Sequence, residues 1–421
     1  MSGTYIAIMG RVRVLGMIMA GGKGERLMPL TAVRSKPAVP FGGKYRIVDF
    51  VLSNMLNSGI TANYVLVQYR SQSLIEHVRE SWSIAGRLKD QFITIVPPQM
   101  RAGGGWYEGT ADAVYHNLNL IADFRPNVVA VLGADHIYRM DVSQMIQFHQ
   151  DSGAEVTVAA LPVPSEQSSQ FGILEVDADD RLVGFEEKPT KAKTMSGCPT
   201  MALSSMGNYI FDASVLLRTL ERDAASPGSH DFGRNIIPDL IGGRRKVFAY
   251  DFLRNDVPGL RSYEERGYWR DVGTLDAYWQ ANMDLLGETP SFDLRNNQWP
   301  VVSAGYESPM ASIVRTYTDQ SMIGQGSHIV DAEIRNSVIG RDVHIEAGAR
   351  LEGCIIMDGV RIGAQARLHR VIADRFSSIP AGSDIGFQES PQLPGCHLSP
   401  TGLVIIPRDT KVAMTLMQSV S

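Results

Sequence analysis

The chain has only three cysteines in 421 residues. Cys198, Cys354 and Cys396 lie far apart and at no metal-ligand spacing. That excludes a disulfide framework and a cysteine-built zinc site, and it points to a reducing compartment, the cytoplasm. Long apolar runs are also missing: nothing approaches the roughly 18 residues a membrane span needs. The N-terminal "MSGTYIAIMGRVRVLGMIMAGG" is interrupted by Arg11 and Arg13, and no small-residue cleavage site follows, so it does not read as a signal peptide. Nor is there an excess of positive charge. Forty Lys and Arg stand against 45 Asp and Glu, a net charge of −5. No basic field invites nucleic acid, and an anionic ligand must be held by local cations.

The length suits two or three domains, each with its own core. From residue 12 to 285, short β-branched runs alternate with longer helical patterns. "VRVLGMIMA" (12–20), "NYVLVQY" (63–69), "NVVAVLGAD" (127–135) and "AEVTVAALPV" (154–163) read as strands. "DFVLSNMLNSGI" (49–60) reads as a helix with Asp49 as N-cap and Gly59 as stop; "QSLIEHVRESW" (72–82) and "GTADAVYHNLNLIADF" (109–124) read as two more. The alternation predicts a mostly parallel α/β sheet with helices on both faces, whose ligands sit at the carboxyl ends of strands. Residues 286–312 carry three prolines and little periodicity, and read as a linker.

A different period follows over 313–421. Aliphatic residues recur in steps of six at Ile323 and Ile329, at Ile339, Ile345 and Leu351, at Ile356, Ile362 and Leu368, and at Ile379 and Ile385. This is the hexapeptide signature of a short left-handed parallel β-helix.

The densest chemistry lies in "AGGKGERLMPLTAVRSKPAVPFGGKYRIVDF" (20–50). The segment is neither a Walker loop nor a dinucleotide fingerprint, because Glu25 follows Gly24 and Leu27 stands where a third glycine would be needed. Gly21, Gly22 and Gly24 still let backbone N–H groups converge on a ligand. Arg26 and Lys36 add fixed cations. A diphosphate leaving group calls for that combination. Asp135 ends a strand, as a metal-holding acid at a reacting phosphate should.

"AGGKGERLMPLT", "SKPAVPFGGKYRIVDFVLSNMLNSGI", "WYEGTADAV", "ADHIYRMD", "FEEKP" and "GYWRDVGTLDAYWQANMDL" occur in order between residues 14 and 286. Together they resemble the sugar-nucleotide pyrophosphorylases, and most closely the glucose-1-phosphate adenylyltransferase family of bacterial glycogen synthesis. The resemblance implies a Rossmann-like nucleotidyltransferase domain (12–285) followed by the β-helix, which serves assembly and regulation. It implies the reaction of ATP with α-D-glucose 1-phosphate to give ADP-glucose and pyrophosphate, with Mg²⁺ on Asp135 and Asp271. Arg26, Lys36, Asp135 and Lys188 would be catalytic. Lys188, Glu187, Ser205, Gly172 and Tyr107 would contact the sugar phosphate or its surroundings; Gln99, Gly109 and Asp112 would lie near base and ribose. Many relatives have Gly where this chain has Ala134. His136 reads as structural, because glucose 1-phosphate is already an anionic nucleophile and needs no general base.

Relatives are usually homotetramers under allosteric control. Those activated by fructose 1,6-bisphosphate carry a Lys three residues before the motif lysine, where this chain has Val33. Arg34, Lys44, Arg46 and Arg70 remain to hold a smaller anionic effector. The rivals are a sister enzyme using another nucleoside triphosphate, a non-catalytic regulatory subunit, and an acyltransferase using the β-helix. The motifs argue against the first, the intact set of reacting-centre residues against the second. The few coils, with His328, His344 and His369 scattered among them, argue against the third.

Overall fold

The apolar run after Arg13 forms strand β1 (Val14–Ala20). Leu15 and Met17 pack into the core on one face of the sheet, Ile18 and Ala20 into the core on the other. That two-sided burial is why the segment reads as a continuous apolar run rather than an alternating one. The computed structural model describes residues 12–82, 90–99, 106–303, 305, 308–387 and 394–412. The N-terminal run through Arg11 and residues 413–421 of the expected β-helix region lie outside the described residues.

Around β1 the sheet is parallel. β2 (Ala62–Val67) pairs with one edge of β1 and β3 (Phe92–Val96) with β2; β4 (Val128–Gly133) takes the other edge of β1. The chain thus leaves β1 to one side and returns on the other, which makes a topological switch point at the carboxyl ends of β1 and β4. Beyond β4 runs the long antiparallel strand Met201–Asp212, which carries the rest of a nine-stranded sheet. Helices cover both faces. Ile47–Asn57, Gln72–Ser81 and Val142–Asp151 lie on one, Thr110–Tyr115, Leu118–Phe124 and Ala213–Ala224 on the other.

Two expectations need correction. Asp49 is not the N-cap of the first helix. Arg46 holds that position, and Asp49 reaches back from inside the first turn to accept its backbone N–H at 2.8 Å. The same buried carboxylate accepts from His77, Trp82 and Ser303, so it ties together two helices and the later linker. The expected helix over 109–124 is two helices. Asn117 donates its side-chain amide to the Ala113 carbonyl and to the Tyr107 hydroxyl, and the helix breaks where that side chain competes with the backbone. Gly59 follows the first helix with φ +75°, as a left-handed stop should.

The second domain is a parallel β-helix of three sheets. Its strands stack in register, as in the column Ile313–Ile329–Ile345–Ile362–Ile379, whose last four members are buried inside while Ile313, on the first coil, is exposed. All ten periodic residues lie on its strands. Residues 286–311 contain no helix or strand among those described, yet they are packed, with Phe292 and Trp299 buried.

The two domains share one apolar cluster. Phe41, Phe50 and Tyr278 meet Ile355, Ile372 and Ile405 of the β-helix. Trp279 donates its indole N–H to the Gly353 carbonyl at 2.8 Å. Inside this interface Arg34 bonds both oxygens of Asp374 at 2.9 Å, and each partner is at most 2% exposed. Arg34, one of the cations expected to serve an effector, is held in this ion pair.

Breaking a buried pair from one side strands a charge, at a cost of about 3–5 kcal/mol. Arg34→Met should therefore lower the thermal unfolding midpoint markedly. The neutral pair Arg34→Met/Asp374→Asn should recover most of the loss. A double variant no more stable than the single one would show that the pair does not hold the interface.

Candidate active site

A cleft of about 950 Å³ opens beyond the carboxyl ends of β1, β2 and β4. The glycine loop forms its floor. Gly24 has φ +65°, and a Cβ there would stand 3.0 Å from Thr31 Cγ2 and 3.2 Å from Lys36 Cβ. Glycine is needed both for the left-handed backbone and for the closeness of Lys36. Nothing lies within 4 Å of a Cβ built on Gly22, so that side of the loop is open to a ligand.

The pairing of β11 (Trp269–Asp271) with β5 (His136–Tyr138) brings the two acids together. The register is antiparallel and sets Asp271 opposite His136. (The other strand labels follow chain order: β6 Val156–Pro164, β7 Gly172–Val176, β8 Leu182–Glu187, β9 Met201–Asp212, β10 Val247–Asp251.) Lys36 Nζ bridges the acids, 3.2 Å from Asp135 Oδ2 and 2.9 Å from Asp271 Oδ1. Arg26 stands 3.9 Å from Asp271 Oδ2. Burial alone would push Lys36 down, but the two carboxylates reverse this and its pKa is raised. Burial opposes ionisation of Asp135 as well; the fields of His136 and Lys36 outweigh it and hold the carboxyl below its usual range. Lysine and acid are thus both charged near neutral pH.

The residues fit a divalent cation. Ligand atoms of Asp135, His136 and Asp271 lie within 4.8 Å of one another. Two glycines leave the carboxylates room: a Cβ at Gly133 would stand 3.0 Å from Asp135 Oδ1, and one at Gly273 2.9 Å from Asp271 Oδ1. A pair of carboxylates with open positions suits Mg²⁺, which binds through one or two such groups and substrate phosphates. His136, read from sequence as structural, packs against Trp269 with the rings tilted at 36° and their centroids 4.7 Å apart, and its Nδ1 faces Asp135 Oδ1 at 3.3 Å.

The residues expected to contact the sugar phosphate also line the cleft. Glu187 lies between two glycines, since a Cβ at either Gly172 or Gly233 would stand 2.8 Å from its Oε2. Lys188 has φ +52°, uncommon for a lysine, and its N–H is held by the Phe171 carbonyl at 3.0 Å. Its Nζ is 3.4 Å from Glu187 and half exposed to the cleft. Ser205 sits where the pairing of β9 with β6 shifts register, and such bulges commonly re-aim side chains at sites. Tyr107 lines the cleft, its hydroxyl accepting from Asn117 at 3.1 Å; burial raises its pKa. Gly109 packs against the 229–230 carbonyls so closely that a Cβ would stand 2.2 Å from both.

Two residues assigned near base and ribose do not line the cleft. Gln99 is exposed and donates to the Pro97 carbonyl; Asp112 accepts the Glu108 N–H, just ahead of its own helix, at 2.9 Å. Conversely, Gln68, Tyr209, Asp231 and Trp269 line it without having been singled out. Trp269 lies inside the quoted "GYWRDVG". Asp231 carries no periodic or motif signal; it caps the helical turn Phe232–Ile236 by accepting the N–H groups of Gly233 and Arg234, and by accepting the Thr110 hydroxyl it ties that turn to the start of the helix Thr110–Tyr115.

Comparison with known proteins agrees with this geometry. The nucleotidyl transferase family model matches residues 15–288, and the GlmU-like C-terminal hexapeptide model matches 310–406. The chain is 50% identical over 396 residues to a glucose-1-phosphate adenylyltransferase of Thermodesulfovibrio yellowstonii, covering 94% of this chain and 96% of that protein. It is 48% identical to the protein so named in Anaeromyxobacter sp. strain Fw109-5, covering 95% and 99%, and 44% identical to that of Deinococcus radiodurans, covering 94% and 98%. The cleft, the β-helix behind it and these near full-length likenesses place the chain in the nucleotidyl transferases, as a member of the glucose-1-phosphate adenylyltransferase family.

Proposed function

We propose that this chain transfers the adenylyl group of ATP to α-D-glucose 1-phosphate, releasing pyrophosphate and forming ADP-glucose for glycogen or related α-glucan synthesis. The observation that carries this reading is the Lys36-bridged pair of Asp135 and Asp271. It stands between the glycine loop on one wall and Glu187 and Lys188 on the other. A triphosphate on the loop and a sugar phosphate near Lys188 would meet at the acids.

The sugar phosphate oxygen attacks the α-phosphorus in line, so the protein supplies position and charge rather than bond-making. The loop N–H groups and Arg26 take the leaving diphosphate. Lys188 fixes the sugar phosphate, and Glu187 accepts hydrogen bonds from sugar hydroxyls. Asp135 and Asp271 would hold Mg²⁺, which when bound would neutralise charge building at the reacting phosphate. No residue need remove a proton, and His136 serves to orient Asp135. For Gln99 to read adenine, its amide must turn from the Pro97 carbonyl toward the cleft.

Regulation by a small anion is part of the proposal. Arg46, Arg375, Arg34, Arg408 and Arg341 gather at the domain interface around Asp358 and Asp374. Burial first, then Arg375 and Arg34, lower the Arg46 pKa to about 10. Cations that depress one another in this way favour an added anion. Arg46 and Arg34 belong to the expected set. Lys44 is exposed, and Arg70 reaches the Thr31 carbonyl instead. Homotetramer assembly is supported by the apolar first coil of the β-helix, where Met310, Ile313 and Tyr317 are exposed. A cytoplasmic setting is supported by the three unpaired cysteines, and among the described residues no helix is long and apolar enough to cross a membrane.

Pyrophosphate release with glucose 1-phosphate and each of the five common nucleoside triphosphates tests the reading. ATP should support by far the highest rate. Preference for UTP, dTTP or CTP would assign the chain to a sister activity, and silence with all five, with and without candidate activators, to a regulatory subunit. Asp135→Asn should keep the fold and lose about 10²-fold or more in kcat, as when one charge-stabilising group is removed. Near-normal turnover at saturating Mg²⁺ would remove Asp135 from the reacting centre. Lys188→Ala should raise KM for glucose 1-phosphate and leave that for ATP nearly unchanged; the reverse pattern would put the lysine on the other substrate. At subsaturating substrate, a monophosphate or keto acid should activate more than fructose 1,6-bisphosphate does. Val33 is exposed and adds no cation, so Val33→Lys should strengthen the bisphosphate response. A wild-type response largest to the bisphosphate would overturn the regulatory reading.

A further inference from the structure

The acidic pair is already neutralised by the protein itself. Asp135 and Asp271 offer four carboxylate oxygens, and each has a neighbour. Two face Lys36 Nζ, at 3.2 and 2.9 Å; the other two face His136 Nδ1 at 3.3 Å and Arg26 at 3.9 Å. Two negative charges therefore stand against the two positive charges of Lys36 and Arg26. Lys36 is not a loose surface lysine. Its side chain is 8% exposed, and it opens a short turn whose approach to the glycine loop depends on Gly24. A divalent cation bound at about 2.0–2.1 Å from the inner oxygens would need the space that Nζ fills, and the two cations would repel at short range.

We infer that Lys36 is a built-in counter-ion that closes the acidic pair to divalent cations until a nucleoside triphosphate arrives. The phosphates, bound on the glycine loop, draw Lys36 and Arg26 away from the carboxylates and open the metal position. Arg26 belongs to that loop and is largely exposed, so its side chain can turn at little cost. The four-carbon stem of Lys36 can redirect its ammonium without backbone movement. Metal then enters with the nucleotide or after it, and the resting site does not fill with free metal. This inference rests on the reading of Asp135 and Asp271 as the metal ligands.

The test is Mn²⁺ binding to the full chain without nucleotide, read from the electron paramagnetic resonance signal of the free ion. Wild type should bind no more tightly than Asp135→Asn. Lys36→Met and Lys36→Gln, each checked for folding by its thermal midpoint, should bind at least tenfold more tightly than wild type. Adding Asp135→Asn to Lys36→Gln should remove that gain. The wild-type chain gives a second measurement: Mn²⁺ alone should leave its thermal midpoint unchanged, and Mn²⁺ with a non-hydrolysable ATP analogue should raise it. If wild type binds Mn²⁺ as tightly as the Lys36 variants and Asp135→Asn abolishes binding, the pair holds metal but Lys36 does not gate it, and the inference alone fails. If the gain in Lys36→Gln survives Asp135→Asn, the carboxylates are not the ligands, and both the inference and the metal reading fail. A rise in the wild-type midpoint with Mn²⁺ alone would also overturn the inference.

Discussion

Two carboxylates brought within reach of one ion repel each other, and much of the catalytic domain is arranged around offsetting that repulsion. Two like charges about 4 Å apart oppose each other by about 4 kcal/mol at the effective dielectric of a protein surface. That is a sizeable part of the about 5–15 kcal/mol by which a domain is stable. The pairing of β5 with β11 imposes the closeness, because it fixes Asp271 opposite the residue after Asp135. Lys36 makes it tolerable, and Gly24 makes Lys36 possible by letting its turn pack against the glycine loop. The glycine loop and the two acids are therefore one electrostatic unit, although they come from residues 24, 36, 135 and 271.

This coupling explains which parts could be read from sequence. β1 was legible because a strand buried on both faces leaves an unbroken apolar run. The β-helix was legible because each coil repeats the same inward positions, so Ile329, Ile345 and Ile362 stack in register. Local patterns failed where a side chain entered into competition with the backbone. Asn117 breaks a helix that looks continuous by periodicity, and Asp49 serves the first helix from inside its first turn rather than from its start.

At the site, the acids, the cations and the glycines could be recognised because they lie in segments with distinctive residue content. Asp231 could not. It ties the helical turn it caps, Phe232–Ile236, to Thr110 at the start of a helix more than 100 residues earlier, a tie set by tertiary contact. Gln99 and Asp112 are placed differently from the rest of the expected set. Their types suit a base and a ribose, but each is satisfied locally, by Pro97 and by the Glu108 N–H. A residue type says which bonds a side chain can make and not which it has made. No pattern in the sequence links Arg34 with Asp374, which are 340 positions apart and form the most deeply buried ion pair of the interface.

That pair also bears on how the two domains can communicate. Arg34 lies two residues before Lys36, so one short segment carries both the interface ion pair and the cation of the reacting centre. Lys36 begins a turn whose residues Lys36, Pro37 and Ala38 are all buried, which leaves little slack between the two ends. Arg46, at the start of the next helix, donates to the Ala38 carbonyl and so clasps the same turn from the other side. An anion that drew Arg46 toward Arg375 would pull on the turn that positions Lys36. Were the interface to bind an anion, its effect on the acidic pair would need no long pathway through the sheet: it would cross only the residues from Arg34 to Lys36, held at one end by the β-helix and at the other by the acids.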